Sequence, residues 1–227
     1  MPPDVAATLR AVLFDLDGTL LDTAPDMAGA LNALRKEHLL APLPFDAVRS
    51  VVSHGAARLV KEGFPNADAA ALPALQQRFL EIYRAGLSRE TRLFAGMDQV
   101  LRELENWRVK TGIVTNKPAW LTDPLLADLG LGAHFACVVS GDTVAERKPH
   151  PLPLLHAAAL AGVRPDECIY VGDAQRDVQA AHAAAMPALV ANYGYLRADE
   201  DPTGWGADGY LDRPLQLLAW LKASGRL

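Results

Sequence analysis

Three features of the sequence predict an α/β fold, a doubly wound parallel sheet interrupted after its first strand by an all-helical insert. The apolar run Val12-Leu13-Phe14 ends abruptly at Asp15-Leu16-Asp17-Gly18, as a parallel strand covered on both faces ends at its ligand-facing edge. Some 70 residues with helical spacing follow, and from Phe94 the pattern alternates between strand and helix. The expected division is a core of residues 1–21 and 92–227 and a helical insert of residues 22–91.

In order, the first strand is expected over about residues 10 to 16. Pro25 opens a helix carrying Met27, Leu31 and Leu34, and Pro42 and Pro44 end it. Val48, Val51 and Val52 begin a second helix that stops near Ser53-His54-Gly55; Leu59 and Val60 mark a third, and Leu72 to Leu87 a fourth. No strand pair is expected among them. The core resumes with helix 97–107, strand 109–116, a helix from Pro118 to near Gly130, strand 136–140 and helix 151–161. Strand 168–171, an alanine-rich helix 174–185, strands 188–191 and 209–211, and helix 214–223 complete it.

Composition limits the partners. Half of the 227 residues are hydrophobic, enough for a sizeable core, and the formal charge of −5 argues against nucleic acid or an anionic membrane. Cys137 and Cys168 each fall in a core strand and read as buried thiols, which suits a reducing cytoplasm. The first residues lack a basic and apolar leader, and no run has the length of a membrane span, so a cytoplasmic location is expected.

The chemistry concentrates at strand ends. In an extended chain Asp15 and Asp17 point the same way, and two like charges there call for a cation, while Gly18-Thr19 offers a turn with backbone donors suited to phosphate. Thr115 and Asn116 end another strand, where a hydroxyl and an amide serve either a phosphoryl oxygen or the cap of the next helix. Lys148 lies among prolines that keep its segment extended. Asp173 and Asp177 sit one turn apart at a helix start, as metal ligands, as helix cap and first-turn acid, or as both.

Asp15-Leu-Asp-Gly-Thr-Leu20, Thr115-Asn116, Lys148 and Gly172-Asp173 through Asp177 resemble, in order, the four motifs of the haloacid dehalogenase superfamily. The resemblance implies Asp15 as nucleophile, Asp17 as general acid/base, and Mg²⁺ held by Asp15, the Asp17 backbone carbonyl, Asp173 and Asp177. It implies Thr115 with its neighbour Asn116 as phosphate contacts, Lys148 neutralising phosphate and nucleophile, and residues 22–91 as a cap that sets specificity. Crowding of four acids favours a protonated Asp17, the form that can protonate a departing alkoxide.

Within the superfamily, Thr115-Asn-Lys-Pro118, Lys148-Pro-His-Pro151 and Tyr193-Gly-Tyr195 are most similar to the phosphoglycolate phosphatase group. Asp201-Pro-Thr-Gly-Trp-Gly-Ala-Asp208 is similar to a branch acting on N-acetylmuramic acid 6-phosphate. Ser53, where phosphoglycolate enzymes more often carry glycine, is a candidate for specificity together with His54 and Arg58. The implied partner is a small phosphorylated metabolite, with no nucleic acid and no membrane, bound by a monomer or a homodimer. A phosphomutase shares every motif, and a non-catalytic phosphate-binding module is the remaining alternative.

Overall fold

The computed structural model describes residues 8–227. Strand β1 (Ala11–Phe14) is followed by the two-residue β2 (Leu21–Asp22), by helices α1 (Ala24–Glu37), α2 (Phe45–Arg49), α3 (Gly55–Gly63) and α4 (Leu72–Ala85), and by β3 (Arg92–Leu93). Then come α5 (Met97–Asn106), β4 (Lys110–Val114), α6 (Ala119–Asp128), β5 (Cys137–Val139), α7 (Leu152–Ala161) and β6 (Cys168–Gly172). The chain closes with α8 (Gln175–Ala183), β7 (Ala188–Ala191), β8 (Gly209–Leu211) and α9 (Gln216–Ala223).

Six strands form one parallel sheet in the order β5-β4-β1-β6-β7-β8. Strand β1 is central because its residues are fully buried and alternate between two apolar layers: Val12 and Phe14 join the one that continues into the insert, Ala11 and Leu13 the one under α7 and α8. The ends of β1, β4 and β6 therefore meet at one edge. Cys137 and Cys168 are buried and free, as expected for core thiols.

Three details differ from the sequence expectation. Strand β1 ends at Phe14, so Asp15 and Asp17 lie in the turn beyond it rather than on a continuing strand. An antiparallel ribbon, β2 with β3, closes the base of the insert, where two residues per strand are too few to show a period. The second helix also starts earlier, at Phe45 behind Pro44, and a 3-10 turn at Val52–His54 leads directly into α3.

Inside the insert, Met27, Leu31 and Leu34 of α1 pack with Leu59 and Val60 of α3 and with Leu75, Phe79 and Tyr83 of α4. Beside the ribbon, buried Asp26 accepts hydrogen bonds from Glu90 N at 3.0 Å, Thr91 N at 2.9 Å and Thr91 Oγ1 at 2.7 Å. It ties the chain leaving the core to the chain returning. Asp26→Ala strands two backbone donors and a hydroxyl at this junction, so a loss of about 2–3 kcal/mol is expected, read as a lower midpoint in urea unfolding with an unchanged slope.

Candidate active site

Asp15, Asp173 and Asp177 converge at the shared sheet edge, each offering an oxygen within 4.8 Å of the others, and all three are buried. The Lys148 ammonium makes that possible. Its Nζ lies 3.0 Å from Asp15 Oδ1, 2.7 Å from Asp177 Oδ1, 2.8 Å from the Val114 carbonyl at the end of β4 and 2.6 Å from the Tyr170 hydroxyl on β6. Three N–H donors facing four acceptors leave none over, and the side chain has no solvent exposure. Lys148 thus touches the carboxylates rather than the open pocket. Asn116 holds it there: its amide donates to the Lys148 carbonyl at 2.9 Å and accepts from the Lys148 N–H at 3.1 Å.

The two acids of the last motif are not equivalent. Asp177 Oδ2 accepts from Ala174 N at 3.0 Å, and its Oδ1 faces Lys148, so both oxygens are engaged. Asp173 Oδ2 accepts from Ser53 Oγ at 2.6 Å and Tyr195 N at 2.9 Å, while its Oδ1 is buried and has no partner among the described residues. The helix cap is Ala174, one residue after Asp173. A buried carboxylate oxygen without a donor, within reach of two more carboxylates, fits a hard divalent cation with oxygen ligands. Backbone packs tightly around it: Gly18, at φ +81°, and Gly194 would each press a Cβ into Asp173, at 2.1 Å and 2.4 Å.

Asp17 stands apart from this group. Its Oδ1 accepts from Thr23 Oγ1 at 2.6 Å and pairs with Lys117 Nζ at 3.0 Å, so its neighbour is a cation where crowding by acids was expected. Lys117 also donates to the Tyr83 hydroxyl at 2.9 Å, which joins the acid to α4 of the insert. Burial works against the Lys117 charge, but Asp17 and Tyr83 outweigh it and raise its pKa; burial pushes the Tyr83 hydroxyl up to about 12. Thr115 is buried, and its Oγ1 accepts from Lys117 N at 3.1 Å. The Thr19 hydroxyl is buried without a partner among the described residues.

A cavity of about 120 Å³ opens above these groups, lined by Asp15, Asp17, Thr115, Asn116 and Arg176 from the core and by Ser53, Ala56 and Tyr83 from the insert. Ser53 is therefore in the site. His54 instead faces Glu200 of the loop after β7, 3.4 Å away, and Arg58 pairs with Glu62 along its own helix. Trp205 packs against the apolar layer under α7 and α8, outside the cavity lining. Sequence reading passed over Lys117, Tyr83 and Arg176. The two cations lie inside motif segments already singled out, where a charge beside a strand end was the available signal; Tyr83, four residues after Phe79, reads as core.

Burial, then Asp15 and Asp177, push the Asp173 carboxyl from 3.8 up to about 7, and burial raises Asp15 against the opposing pull of Lys148. Between those two Asp173 values the folded chain holds a proton that the unfolded chain has released, so stability from this group falls as pH rises through that window. A bound cation needs the ionised form. The rise in Tm caused by Mg²⁺ is accordingly expected to be larger at pH 8 than at pH 6, with apparent affinity weakening by up to about tenfold per pH unit below 7. Equal increments in Tm at both pH values would contradict the Asp173 assignment.

The chain is 48% identical, over 92% of its length and 94% of the relative's, to a phosphoglycolate phosphatase of Xanthomonas campestris pv. campestris. It is 38% identical, over 92% and 94% of the two lengths, to an N-acetylmuramic acid 6-phosphate phosphatase of Pseudomonas putida. A crystal structure of a predicted phosphoglycolate phosphatase from Haemophilus somnus 129pt superposes with a TM-score of 0.83 at 26% identity, covering 93% of this chain and 97% of that one. The profile described as Haloacid dehalogenase-like hydrolase matches residues 12–191, a span that runs from β1 to the end of β7 and contains every group around the cavity. With its fold, its site and its relatives in agreement, the chain belongs to the haloacid dehalogenase-like hydrolase family.

Proposed function

We propose that this phosphatase hydrolyses a small phosphomonoester in two steps at Asp15, with 2-phosphoglycolate the favoured substrate. The observation that carries the mechanism is the asymmetry of the Asp15 carboxylate: Oδ1 accepts from Leu16 N at 2.7 Å and faces Lys148, whereas Oδ2 accepts no hydrogen bond from a described residue and faces the cavity cation Arg176 at 4.0 Å. In the first step an Asp15 oxygen attacks phosphorus, the ester P–O bond breaks with its electron pair leaving on the alcohol oxygen, and Asp17 gives that oxygen a proton. In the second, Asp17 takes a proton from water as the water attacks phosphorus, and the acyl P–O bond breaks to return the Asp15 carboxylate and inorganic phosphate.

Asp15, Asp173 and Asp177 would hold Mg²⁺, with the Asp17 carbonyl as a further proposed ligand; when bound, the ion would offset phosphate charge and orient the phosphoryl group. Lys148 keeps the mutually repelling carboxylates together and fixes the Asp15 rotamer. Thr23 at the start of the insert and Lys117 of the core, held by Tyr83 of α4, aim Asp17; we read the insert, with boundaries near residues 22 and 91, as a cap over the leaving group.

Size supports the glycolate reading. The cavity's roughly 120 Å³ is well below the ~300 Å³ at which sites for drug-sized ligands begin, and it suits a two-carbon leaving group better than an N-acetylated sugar acid. The greater identity to the phosphoglycolate phosphatase points the same way. Trp205, the residue of the tail segment similar to the sugar-phosphate branch, does not line the cavity.

Phosphate release from a panel containing both metabolites is expected to give the higher kcat/KM for 2-phosphoglycolate, to need Mg²⁺, and to be lost in Asp15→Asn. Asp17→Asn is expected to lower kcat by about 10²- to 10⁴-fold, more for alkyl than for aryl esters, because a phenolate leaves without much help from an acid. Preference for N-acetylmuramic acid 6-phosphate would overturn the substrate reading. Unimpaired turnover by Asp15→Asn, with deamidation excluded, would overturn the mechanism.

A further inference from the structure

Three cations lie at or beneath the cavity, and two of them are paired with protein groups. Lys148 is saturated beneath the carboxylates, and Lys117 gives two of its three donors to Asp17 and Tyr83. Arg176 differs. It sits in the first turn of α8 and lines the cavity, and its guanidinium donates no hydrogen bond to any described residue. Among the described residues its Nε is buried without a partner and its nearest opposite charge is Asp15 Oδ2 at 4.0 Å, and its side chain is only 23% exposed. A buried donor without an acceptor is destabilising, which points to an acceptor that arrives with a ligand.

Position decides which acceptor. The guanidinium lies beside the Asp15 oxygen that accepts no protein hydrogen bond, the one available for attack on phosphorus. A phosphoryl group engaged there brings its non-bridging oxygens to the planar fork of donors, the geometry that arginine matches bidentately. We propose that Arg176 is the substrate-binding cation of this site, holding the non-bridging phosphoryl oxygens over Asp15. This rests on the phosphatase reading above, and it gives the phosphoryl group a second side-chain cation on the cavity side of Asp15, opposite Lys148 beneath it. Negative charge on those oxygens is shared with the guanidinium while the phosphoryl group is transferred.

The test compares the full-length wild-type chain with Arg176→Ala and Arg176→Lys in three measurements: affinity for inorganic phosphate by calorimetry, kcat/KM for 2-phosphoglycolate and for methyl phosphate, and the Mg²⁺ concentration giving half-maximal activity. Arg176→Ala is expected to weaken phosphate binding by roughly ten- to a hundredfold and to lower kcat/KM for both esters by a similar factor, the scale of charge-assisted hydrogen bonds. Arg176→Lys keeps the charge without the fork and is expected to fall between. Half-saturation by Mg²⁺ is expected to stay within about twofold, which separates contact with phosphate from an effect through the carboxylates.

A loss confined to 2-phosphoglycolate would overturn the proposal, because Arg176 would then read the leaving group's carboxylate. Unchanged phosphate affinity would overturn it as well, and so would a Mg²⁺ requirement that shifts in step with the loss. If wild type binds phosphate through Arg176 but releases none from any ester, the binding assignment is supported and the phosphatase reading fails.

Discussion

Gathering three buried carboxylates at one point is the electrostatic difficulty on which this architecture turns, and the Lys148 ammonium is the counter-charge that makes it tolerable. Unpaired charges of one sign at such distances repel by several kcal/mol even at an effective dielectric near 20. One ammonium bonded to Asp15, Asp177, the Val114 carbonyl and the Tyr170 hydroxyl links the ends of β1, β4 and β6 with the start of α8. The compensation is local and incomplete. Asp173 Oδ1 is left without a donor among the described residues, and burial with the two neighbouring acids pushes that carboxyl up to about 7. Three carboxylates against one ammonium leave this place short of positive charge, which fits the proposed cation.

The insert reaches the same point from the other side. Ser53 donates to Asp173, Tyr83 accepts from the lysine that pairs with Asp17, and Arg49 donates to the Tyr193 carbonyl at 3.0 Å while lying over the Tyr195 ring. Tyr195 returns along the chain, its hydroxyl bonded to Asp22 at 2.7 Å where the insert begins. Displacing the insert from the core therefore breaks the Ser53 bond to Asp173 and the Tyr83 bond that holds the lysine paired with Asp17. In the proposed reaction this couples covering of the leaving group to the placement of the groups that act on it.

Much of this was legible in the sequence because it is local. Asp15 and Asp17 flanking one leucine, Asp173 and Asp177 one turn apart, and a change of period at Phe94 are patterns within a few residues, and they predict the order of core elements, including strands 188–191 and 209–211 at their observed bounds. What local pattern does not carry is the choice of partner. That Asp17 faces Lys117 rather than the other acids depends on contact across 100 residues, and Ser53 meets Asp173 across 120. His54 and Arg58 read as specificity residues from their place near Ser53, yet His54 faces Glu200 of a distant loop and helical spacing gives Arg58 to Glu62. The β2–β3 ribbon escaped notice because its strands are shorter than one full alternation.

The central claim is that the phosphoryl group passes through Asp15. Mixing enzyme with 2-phosphoglycolate and Mg²⁺, quenching within one turnover and reducing with borohydride converts an aspartyl phosphate to homoserine, which peptide mass spectrometry locates. The account requires homoserine at position 15 in the wild type and none in Asp15→Asn. Single-turnover phosphate release with residue 15 unmodified at every quench time, or with the label on another side chain, would contradict it.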